Sequence, residues 1–301
     1  MVPGGPDKPT VGVGFRSVID PFVEVGWLLE HRDEVIVADV RFYLDGRSGR
    51  DAHMQGHIPG AVYIDLQTAL SAPRADNRTG RHPLPTPERF AGELARLGIG
   101  DTDTVVAYDD AGGVVAARLV WMLRATGHEA ALLNGGLSAW PKDQISTAKP
   151  ASSSGGGSVP CEIKRFTPVA WPRHLLATID ELPTTTAVMI DARDSARFAG
   201  GPDPVDPRSG HIPGAVSVPA RGHLGADDRI ADPLTVRATF ANVGVGPETE
   251  VISYCGSGVT ACHNLLALEH AGLGRGRLYP GSWSEWSRDP ARPIATGPEP
   301  E

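Results

Sequence analysis

A seven-residue segment, Gly-His-Ile-Pro-Gly-Ala-Val, occurs twice in this 301-residue chain, at 56–62 and at 210–216. Shorter elements recur in the same order around it, namely Asp-x-Arg at 39–41 and 191–193 and an apolar run ending in tyrosine at 105–108 and 251–254. The paired elements lie 146 to 154 residues apart. Such a long repeat is typical of two whole domains rather than of a solenoid unit of about 20–50 residues. We therefore expect two domains of the same fold.

Each half alternates short apolar runs with helical patterns. The runs 35–39 and 187–191 predict buried strands, and helices are expected over 89–97 and 234–243. Thr86 precedes the earlier of these helices, as an N-cap followed by proline. Asp232 has the same place before the later helix, and Gly98 and Gly244 are expected to end the two helices. Nearly continuous apolar strands between helices predict an α/β fold, with a parallel sheet covered by helices on both faces in each domain.

A Gly/Ser-rich stretch at 151–158 marks the domain boundary. We expect an N-terminal domain over 10–148, a flexible linker over 149–160 and a C-terminal domain over 161–295. The first nine residues have no apolar segment typical of a signal peptide, so we interpret them as a disordered lead-in.

Charge and cysteine content narrow the class of function. A net charge of −8 at pH 7 argues against a nucleic-acid or anionic-membrane partner, and no apolar run has the ~18 residues of a membrane span. The three cysteines form neither a disulfide framework nor a metal-binding pattern. We therefore expect a cytoplasmic enzyme with no metal and no organic cofactor.

Cys255 stands at the end of the strand predicted over 251–254, and a loop of small residues separates it from a helix predicted over 261–270. A strand–loop–helix arrangement places the sulfur over free backbone N–H groups and the positive end of a helix dipole. That environment stabilises a thiolate and an anion bound to it. Cys255 is the predicted nucleophile, at the carboxyl edge of the sheet where ligands of such folds bind.

Comparison of the two halves distinguishes structural residues from candidate functional residues. Features that are present in both halves are interpreted as structural, and these pairs are His57 with His211, Arg41 with Arg193, and Trp140 with Trp286. Asp109 occupies the place of Cys255 in the first half, and a carboxylate cannot act as a soft sulfur nucleophile. Arg197, whose counterpart is Asp45, is predicted to bind an anionic substrate, and Arg208 is a second candidate.

Taken together, these residues resemble the two-domain rhodanese superfamily of sulfurtransferases. The resemblance extends from about Val35 to Trp286 and includes the doubled motifs, the aspartate in the first loop and the six-residue loop 255–260. It implies tandem rhodanese-like domains, of which the first is catalytically silent. The loop sequence Cys-Gly-Ser-Gly-Val-Thr is similar to that of 3-mercaptopyruvate sulfurtransferases, whereas thiosulfate-preferring members carry Arg and Lys after the cysteine.

The resemblance also implies the site residues. Ser257 would act with His82 and with an acidic residue of the first domain, for which Asp65 is a candidate although the family's acid aligns nearer Gln67. Backbone groups of the loop would bind the substrate, at Gly256, Gly258, Val259 and Thr260.

The predicted reaction moves sulfur from the small-molecule donor 3-mercaptopyruvate, through a Cys255 persulfide, to cyanide or to a thiol or thioredoxin-like acceptor. Thiosulfate is the alternative donor. It is less favoured, because a dianion gains from cations beside the cysteine and this loop has no charged residue. A rhodanese-like module that only binds partners is the alternative from another class, and such modules usually lose the cysteine.

A cysteine phosphatase or an arsenate reductase would need an arginine six residues after the nucleophile, where this chain has Ala261. That class is disfavoured. Cys262, inside an apolar helix, is predicted to be a packing residue, and Cys161, near the linker, is interpreted as incidental.

Overall fold

A computed structural model of the chain describes residues 19–74, 79–147 and 164–298. The predicted lead-in, the predicted linker at 149–160 and Cys161 lie outside the described residues. No helix in the described part has the length and apolar character needed to cross a bilayer.

The first half forms a five-stranded, wholly parallel sheet with the strand order β1-β5-β4-β2-β3. Its elements are β1 (Phe22–Val23), α1 (Val25–Glu30), β2 (Val35–Asp39), α2 (Gly49–Gln55), β3 (Val62–Tyr63), α3 (Pro87–Arg96), β4 (Thr104–Tyr108), α4 (Ala117–Ala125), β5 (Ala130–Leu133) and α5 (Gly136–Ala139). Every residue of β5 and all but the first of β4 are buried, as expected of central strands covered on both faces.

The second half repeats this sheet with four parallel strands in the order β7-β6-β8-β9. Its elements are β6 (Val188–Asp191), α6 (Ser195–Phe198), β7 (Val216–Ser217), α7 (Pro233–Ala241), β8 (Val251–Tyr254), α8 (Ala261–His270), β9 (Arg277–Leu278) and α9 (Ser282–Trp286). An isolated parallel bridge between Leu176 and Leu278 stands where β1 pairs with β5 in the first sheet. The predicted α/β class with two parallel sheets is confirmed.

The predicted helix caps set the ends of α3 and α7. The Thr86 hydroxyl accepts a hydrogen bond from the backbone N–H of Arg89 at 3.2 Å, and the Asp232 carboxylate accepts from two N–H groups of the first turn of α7. Gly98 and Gly244 follow the two helices with φ angles of +78° and +80°, a conformation that favours glycine. Both helices begin at the proline after the cap, two residues earlier and one residue earlier than predicted, respectively.

The features that both halves share act as scaffold. The arginine of each Asp-x-Arg pairs with the aspartate two residues before it. Its Nη2 also donates to the first glycine carbonyl of Gly-His-Ile-Pro-Gly, at 2.6 Å from Arg41 to Gly56 and 2.7 Å from Arg193 to Gly210. The histidine of the same motif bonds a backbone carbonyl through Nδ1, at 2.8 Å in both halves. These contacts tie the strand end to the following turn.

The two halves share one core along α4 and α8, which pack against each other. Arg124 of α4 donates to the Glu269 carboxylate of α8 at 2.7 Å, with both side chains about nine-tenths buried. Each of these helices follows the loop at the end of a central strand, β4 or β8. The pairing therefore brings the Asp109 loop and the Cys255 loop to the same interdomain cleft.

Two histidines buried in the second half make stability dependent on pH. Burial lowers the pKa of His223 from 6.5 to about 4 and that of His263 to about 3. Between about pH 6.5 and about pH 4 the unfolded chain binds protons at both positions and the folded chain does not. The free energy of unfolding is therefore expected to fall across this window as the pH falls, by on the order of 5 kcal/mol from these two groups.

Denaturant titrations of wild type and His263→Leu at several pH values in this window test the assignment. Leucine suits the buried position and cannot titrate, so the variant should lose about half of the pH dependence. An unchanged slope in the variant would contradict it. Other buried groups, among them Asp109 and Glu285, whose pKa values are raised by burial, are common to both proteins and cancel in the comparison.

Candidate active site

Cys255 lies directly after β8, and five residues, 256–260, separate it from the first residue of α8. Its side chain is buried, and the backbone N–H of Gly258 donates to Cys255 Sγ with an N···S distance of 3.1 Å. Gly258 has a φ of +76°, and a Cβ built there would lie 2.5 Å from the carbonyl oxygen of Pro280. Only glycine fits this position, so the loop depends on it to aim an N–H at the sulfur.

The turn into α9 holds the outer side of the loop. The Cys255 N–H donates to Ser282 Oγ at 3.2 Å, and the N–H groups of Trp283 and Ser284 donate to the carbonyls of Cys255 and Gly256 at 2.9 Å. These bonds occupy the loop's outward-facing groups with protein partners. The sulfur is thus fixed before any ligand binds.

A cavity of about 670 Å³ opens above Cys255 between the two halves. The second half contributes loop residues together with Arg193, Arg197 and Arg221, and the first half contributes Arg81 and His82. Of the predicted substrate-binding loop residues, Gly256, Val259 and Thr260 line the cavity. Gly258 is not on the wall, and its N–H points to the sulfur.

His82 and Ser257 meet across the domain interface, as the resemblance implied. His82 Nδ1 lies 2.8 Å from Ser257 Oγ, and both side chains are more than nine-tenths buried. Burial, reinforced by the positive charges of Arg118 and Arg81, lowers the pKa of His82 from 6.5 to about 4. The imidazole is therefore neutral at neutral pH and can exchange a proton with the serine hydroxyl.

Arg118, on α4 of the first half, was not found from the sequence. Its guanidinium is fully buried and donates to the carbonyls of Gly258 at 2.8 Å and His82 at 3.1 Å. Among the described residues no carboxylate forms a salt bridge with it. A charged residue inside the otherwise apolar run 116–123 was the available signal, because a buried arginine needs a partner.

Two further groups missed by the sequence reasoning lie beside Arg197. Arg197 binds the Asp203 carboxylate through Nε and Nη2, at 2.8–3.1 Å, and its Nη2 is 3.4 Å from Asp206. Asp206 also forms an ion pair with Arg81 of the first half. Burial, together with the charge of Asp203, raises the pKa of Asp206 against the opposing effect of Arg81. Neither aspartate lines the cavity, whereas both arginines do.

The substrate-binding role predicted for Arg208 is corrected. Its guanidinium donates to four backbone carbonyls between residues 286 and 292, at 2.5–3.2 Å, and it is not on the cavity wall. An arginine in a Pro/Gly-rich loop is able to satisfy the carbonyls of a distant segment, and here it fastens the loop to the end of α9.

Asp65 is likewise not the acidic partner of His82. Its carboxylate accepts from the N–H groups of Gln67 and Thr68 at 2.8 and 3.0 Å, which is a local turn cap. The ring of His82 meets the edge of Phe42 instead, with ring centroids 5.6 Å apart. His82 thus sits between Ser257 and an apolar wall.

In the equivalent loop of the first half, backbone N–H groups bind the carboxylate of Asp109. Its buried carboxylate accepts four backbone hydrogen bonds, from Ala111, Gly113, Val115 and Ala116, at 2.7–2.9 Å. Burial raises the pKa of Asp109, and these four N–H groups oppose that rise. The first loop is therefore an anion cradle filled by its own side chain.

The described part of the chain contains no candidate metal site. There is no group of three or more His, Cys, Asp or Glu side chains close enough to hold an ion. The two described cysteines, Cys255 and Cys262, are both free thiols.

Comparison with known proteins agrees with this geometry. The pattern of the Rhodanese-like domain matches residues 24–143 and 174–289. A Pseudomonas aeruginosa protein named "Probable 3-mercaptopyruvate sulfurtransferase" is 42% identical over 88% of this chain and 93% of its own length. An Arabidopsis thaliana protein named thiosulfate/3-mercaptopyruvate sulfurtransferase 2 is 32% identical over 92% of this chain and 87% of its own.

Solved structures agree as well. The 3-mercaptopyruvate sulfurtransferase from Leishmania major superposes with a TM-score of 0.78 at 30% identity, over 90% of this chain and 76% of that one. The chain therefore belongs to the rhodanese family, as a tandem of two rhodanese-like domains. The family and the fold predicted from the duplicated motifs are confirmed. Relatives that match along nearly the whole chain include proteins named 3-mercaptopyruvate sulfurtransferase and, at 36% identity over 93% of this chain and 98% of its own length, a Mycobacterium tuberculosis protein named "Putative thiosulfate sulfurtransferase SseB".

Proposed function

We propose that the chain is a sulfurtransferase that takes sulfur from 3-mercaptopyruvate, holds it as a persulfide on Cys255 and passes it to a nucleophilic acceptor. The observation that carries this function is the arrangement around Cys255 Sγ: a backbone N–H at 3.1 Å and, on the same cavity wall, a serine bonded to a neutral histidine. Family membership supports the reaction class, and the names of several relatives, among them the one at 42% identity, support the donor.

The first half-reaction begins with attack of the Cys255 thiolate on the sulfur of the donor. The new Sγ–S bond forms while the C–S bond of mercaptopyruvate breaks, and its electron pair stays on carbon as the enolate of pyruvate. The proton that the donor's thiol carried passes to that carbon. Pyruvate leaves, and the outer sulfur of the persulfide stays as an anion.

The Ser257–His82 pair is suited to move that proton. With its pKa lowered to about 4, His82 is neutral at neutral pH and is able to accept a proton through the serine hydroxyl and return it to the enolate carbon. Because His82 is neutral, no carboxylate is needed beside it to stabilise a positive charge on the imidazole. This accounts for a site in which Asp65 is turned away.

The outer sulfur anion needs donors, and the loop supplies them. The Asp109 carboxylate, which takes four N–H groups of the equivalent loop, is the precedent within this molecule. The N-terminus of α8 and the buried cation of Arg118, which donates to the Gly258 carbonyl, add positive potential at the loop. The persulfide is thereby stabilised without a charged side chain in the loop.

The second half-reaction transfers the outer sulfur. Cyanide attacks it and leaves as thiocyanate, or a thiolate attacks it and leaves as a persulfide, and Cys255 Sγ leaves as a thiolate in either case. Because Cys255 is 2% exposed, the acceptor has to reach down the cavity, as cyanide or the thiol of a thioredoxin-like protein can. A reducing cytoplasm, where such thiols are abundant, stays the predicted location.

The two domains divide the work unequally in this proposal. The domain over 161–295 carries the nucleophile, and the domain over 10–148, with Asp109 in place of cysteine, is catalytically silent. It still supplies Arg81, His82 and Arg118 to the cleft. The C-terminal domain alone would therefore lack the groups that position its loop and move the proton.

Thiosulfate is the second candidate donor. Arg81 and Arg197 both face the cavity beside Gly256, where they could hold a second negative charge. The neutral side chains of the loop and the carboxylates behind both arginines favour the monoanionic mercaptopyruvate instead.

Steady-state sulfur transfer to cyanide, with the two donors compared under identical conditions, tests the proposed function. We expect kcat/KM for 3-mercaptopyruvate to exceed that for thiosulfate by about tenfold or more, since the site has little net charge to offer a dianion. A preference for thiosulfate would retain the reaction class and overturn the donor. No turnover of either donor would overturn the enzymatic function in favour of a partner-binding module.

A further inference from the structure

We propose that Asp206 sets the donor preference of this cavity by neutralising two arginines that would otherwise favour a dianion. The inference rests on the proposed sulfurtransferase function and adds to it the residue that excludes thiosulfate. Asp206 does not touch the substrate in this account. It is a positioning residue that acts through Arg81 and Arg197.

The two arginines converge on the residue next to the nucleophile. A Cβ built on Gly256 would lie 2.8 Å from Nη2 of Arg81 and 3.7 Å from Nη2 of Arg197. The two side chains come from different domains, and both line the cavity. An anionic group of a donor whose sulfur is at Cys255 therefore lies within reach of both guanidinium groups.

The carboxylates lie behind these guanidinium groups. The Asp206 side chain is fully buried, pairs with Arg81 through Oδ1 and lies 3.4 Å from Arg197 through Oδ2. The Asp203 side chain, also buried, accepts from Nε and Nη2 of Arg197. Two cations facing two carboxylates leave this cluster close to neutral, although only its two arginines line the cavity.

The net charge of this cluster affects the binding of the two donors differently. Thiosulfate carries two negative charges and mercaptopyruvate one, so any added positive potential beside Gly256 favours the former by twice as much. Asp206→Asn removes one negative charge while keeping the size of the side chain and an oxygen that can accept from Arg81. The substitution should therefore change donor preference more than it changes structure.

The chain offers a matched control in Asp45. It lines the same cavity and pairs with Arg47, but both side chains are more than half exposed, so solvent screens their charges. Asp45→Asn makes the same charge change at the rim of the cavity without contacting Arg81 or Arg197. A second control is Arg81→Gln/Asp206→Asn, which removes one of the cations that Asp206 neutralises.

The experiment measures kcat/KM for thiosulfate and for 3-mercaptopyruvate, with cyanide as acceptor, in wild type and the three variants. Asp206→Asn is expected to raise the thiosulfate-to-mercaptopyruvate ratio by about tenfold, Asp45→Asn by less than about twofold, and the double variant should lose most of the gain. An unchanged ratio in folded Asp206→Asn, or an equal rise in Asp45→Asn, would overturn the proposal.

A binding measurement separates this inference from the proposed function. Sulfate and pyruvate, which are not donors, should slow alkylation of Cys255 by iodoacetamide, and Asp206→Asn should strengthen protection by the dianion sulfate more than protection by pyruvate. This readout needs no turnover. If wild type uses neither donor but the protection shifts as expected, the proposed function fails and the role of Asp206 stands; if the protection does not shift, the role of Asp206 fails.

Discussion

Cys255→Ser is expected to lower kcat/KM for both donors by at least about 10⁴-fold, because a serine hydroxyl neither ionises at neutral pH nor forms a persulfide. The Gly258 N–H that donates to Sγ can also donate to a serine oxygen, so the loop should keep its shape. Steady-state transfer to cyanide measures the effect. Residual activity above about one-hundredth of wild type would mean that another group carries the sulfur.

Cys262 supplies the matched control for this loss. It lies seven residues further on, in the first turn of α8, where burial raises the pKa of its thiol to about 12 and its Sγ is 3.4 Å from the carbonyl of Gly258. A serine at this position can donate to the same carbonyl. Cys262→Ser is therefore expected to retain activity within about threefold of wild type, which separates loss of the nucleophile from loss of a buried thiol.

Arg118→Met is expected to cause the second largest loss, about 100-fold in kcat. The substitution removes the buried cation nearest the loop and the two hydrogen bonds that join the Gly258 and His82 carbonyls. Because the arginine has no carboxylate partner among the described residues, an apolar side chain of similar length should not lower the melting temperature by more than about 5 °C. Activity and thermal unfolding measured on the same preparation distinguish a catalytic defect from an unfolded protein.

Two further readouts keep the role of Arg118 testable. The rate at which iodoacetamide alkylates Cys255 should fall in Arg118→Met, since the thiolate loses a stabilising charge, and Arg118→Lys should recover part of it. A wild-type alkylation rate combined with a wild-type kcat would contradict the role given to Arg118. If Arg118→Met does not fold but Arg118→Lys does, the alkylation rate of Arg118→Lys still tests the role of Arg118.

Most structural features that occur in both halves were predictable from the sequence. The strands that precede the two loops fall within a residue of their expected ends because apolar runs and tyrosines mark them in both halves. The caps at Thr86 and Asp232 were readable for the same reason, since capping depends on neighbours three residues away. Local motifs that occur in both halves are the easiest to interpret.

The cleft between the domains was harder to predict. The sequence singled out Cys255 from its strand–loop–helix setting, but Ser257 and His82 only with the help of a family resemblance, since these two residues lie 175 positions apart and meet through packing of the two halves. Arg81 and Asp206 had no marker, because an ion pair between domains depends on how the domains dock. Arg208 was predicted wrongly because its loop position is compatible with either a ligand or a backbone partner.

Intact-protein mass spectrometry after incubation with 3-mercaptopyruvate, with no acceptor present, measures whether Cys255 carries the transferred sulfur. We expect a gain of one sulfur atom, located on the peptide that contains Cys255, lost again on addition of cyanide and absent in Cys255→Ser. A protein that forms pyruvate without this sulfur adduct, or that carries the sulfur on Cys161 or Cys262, would contradict it.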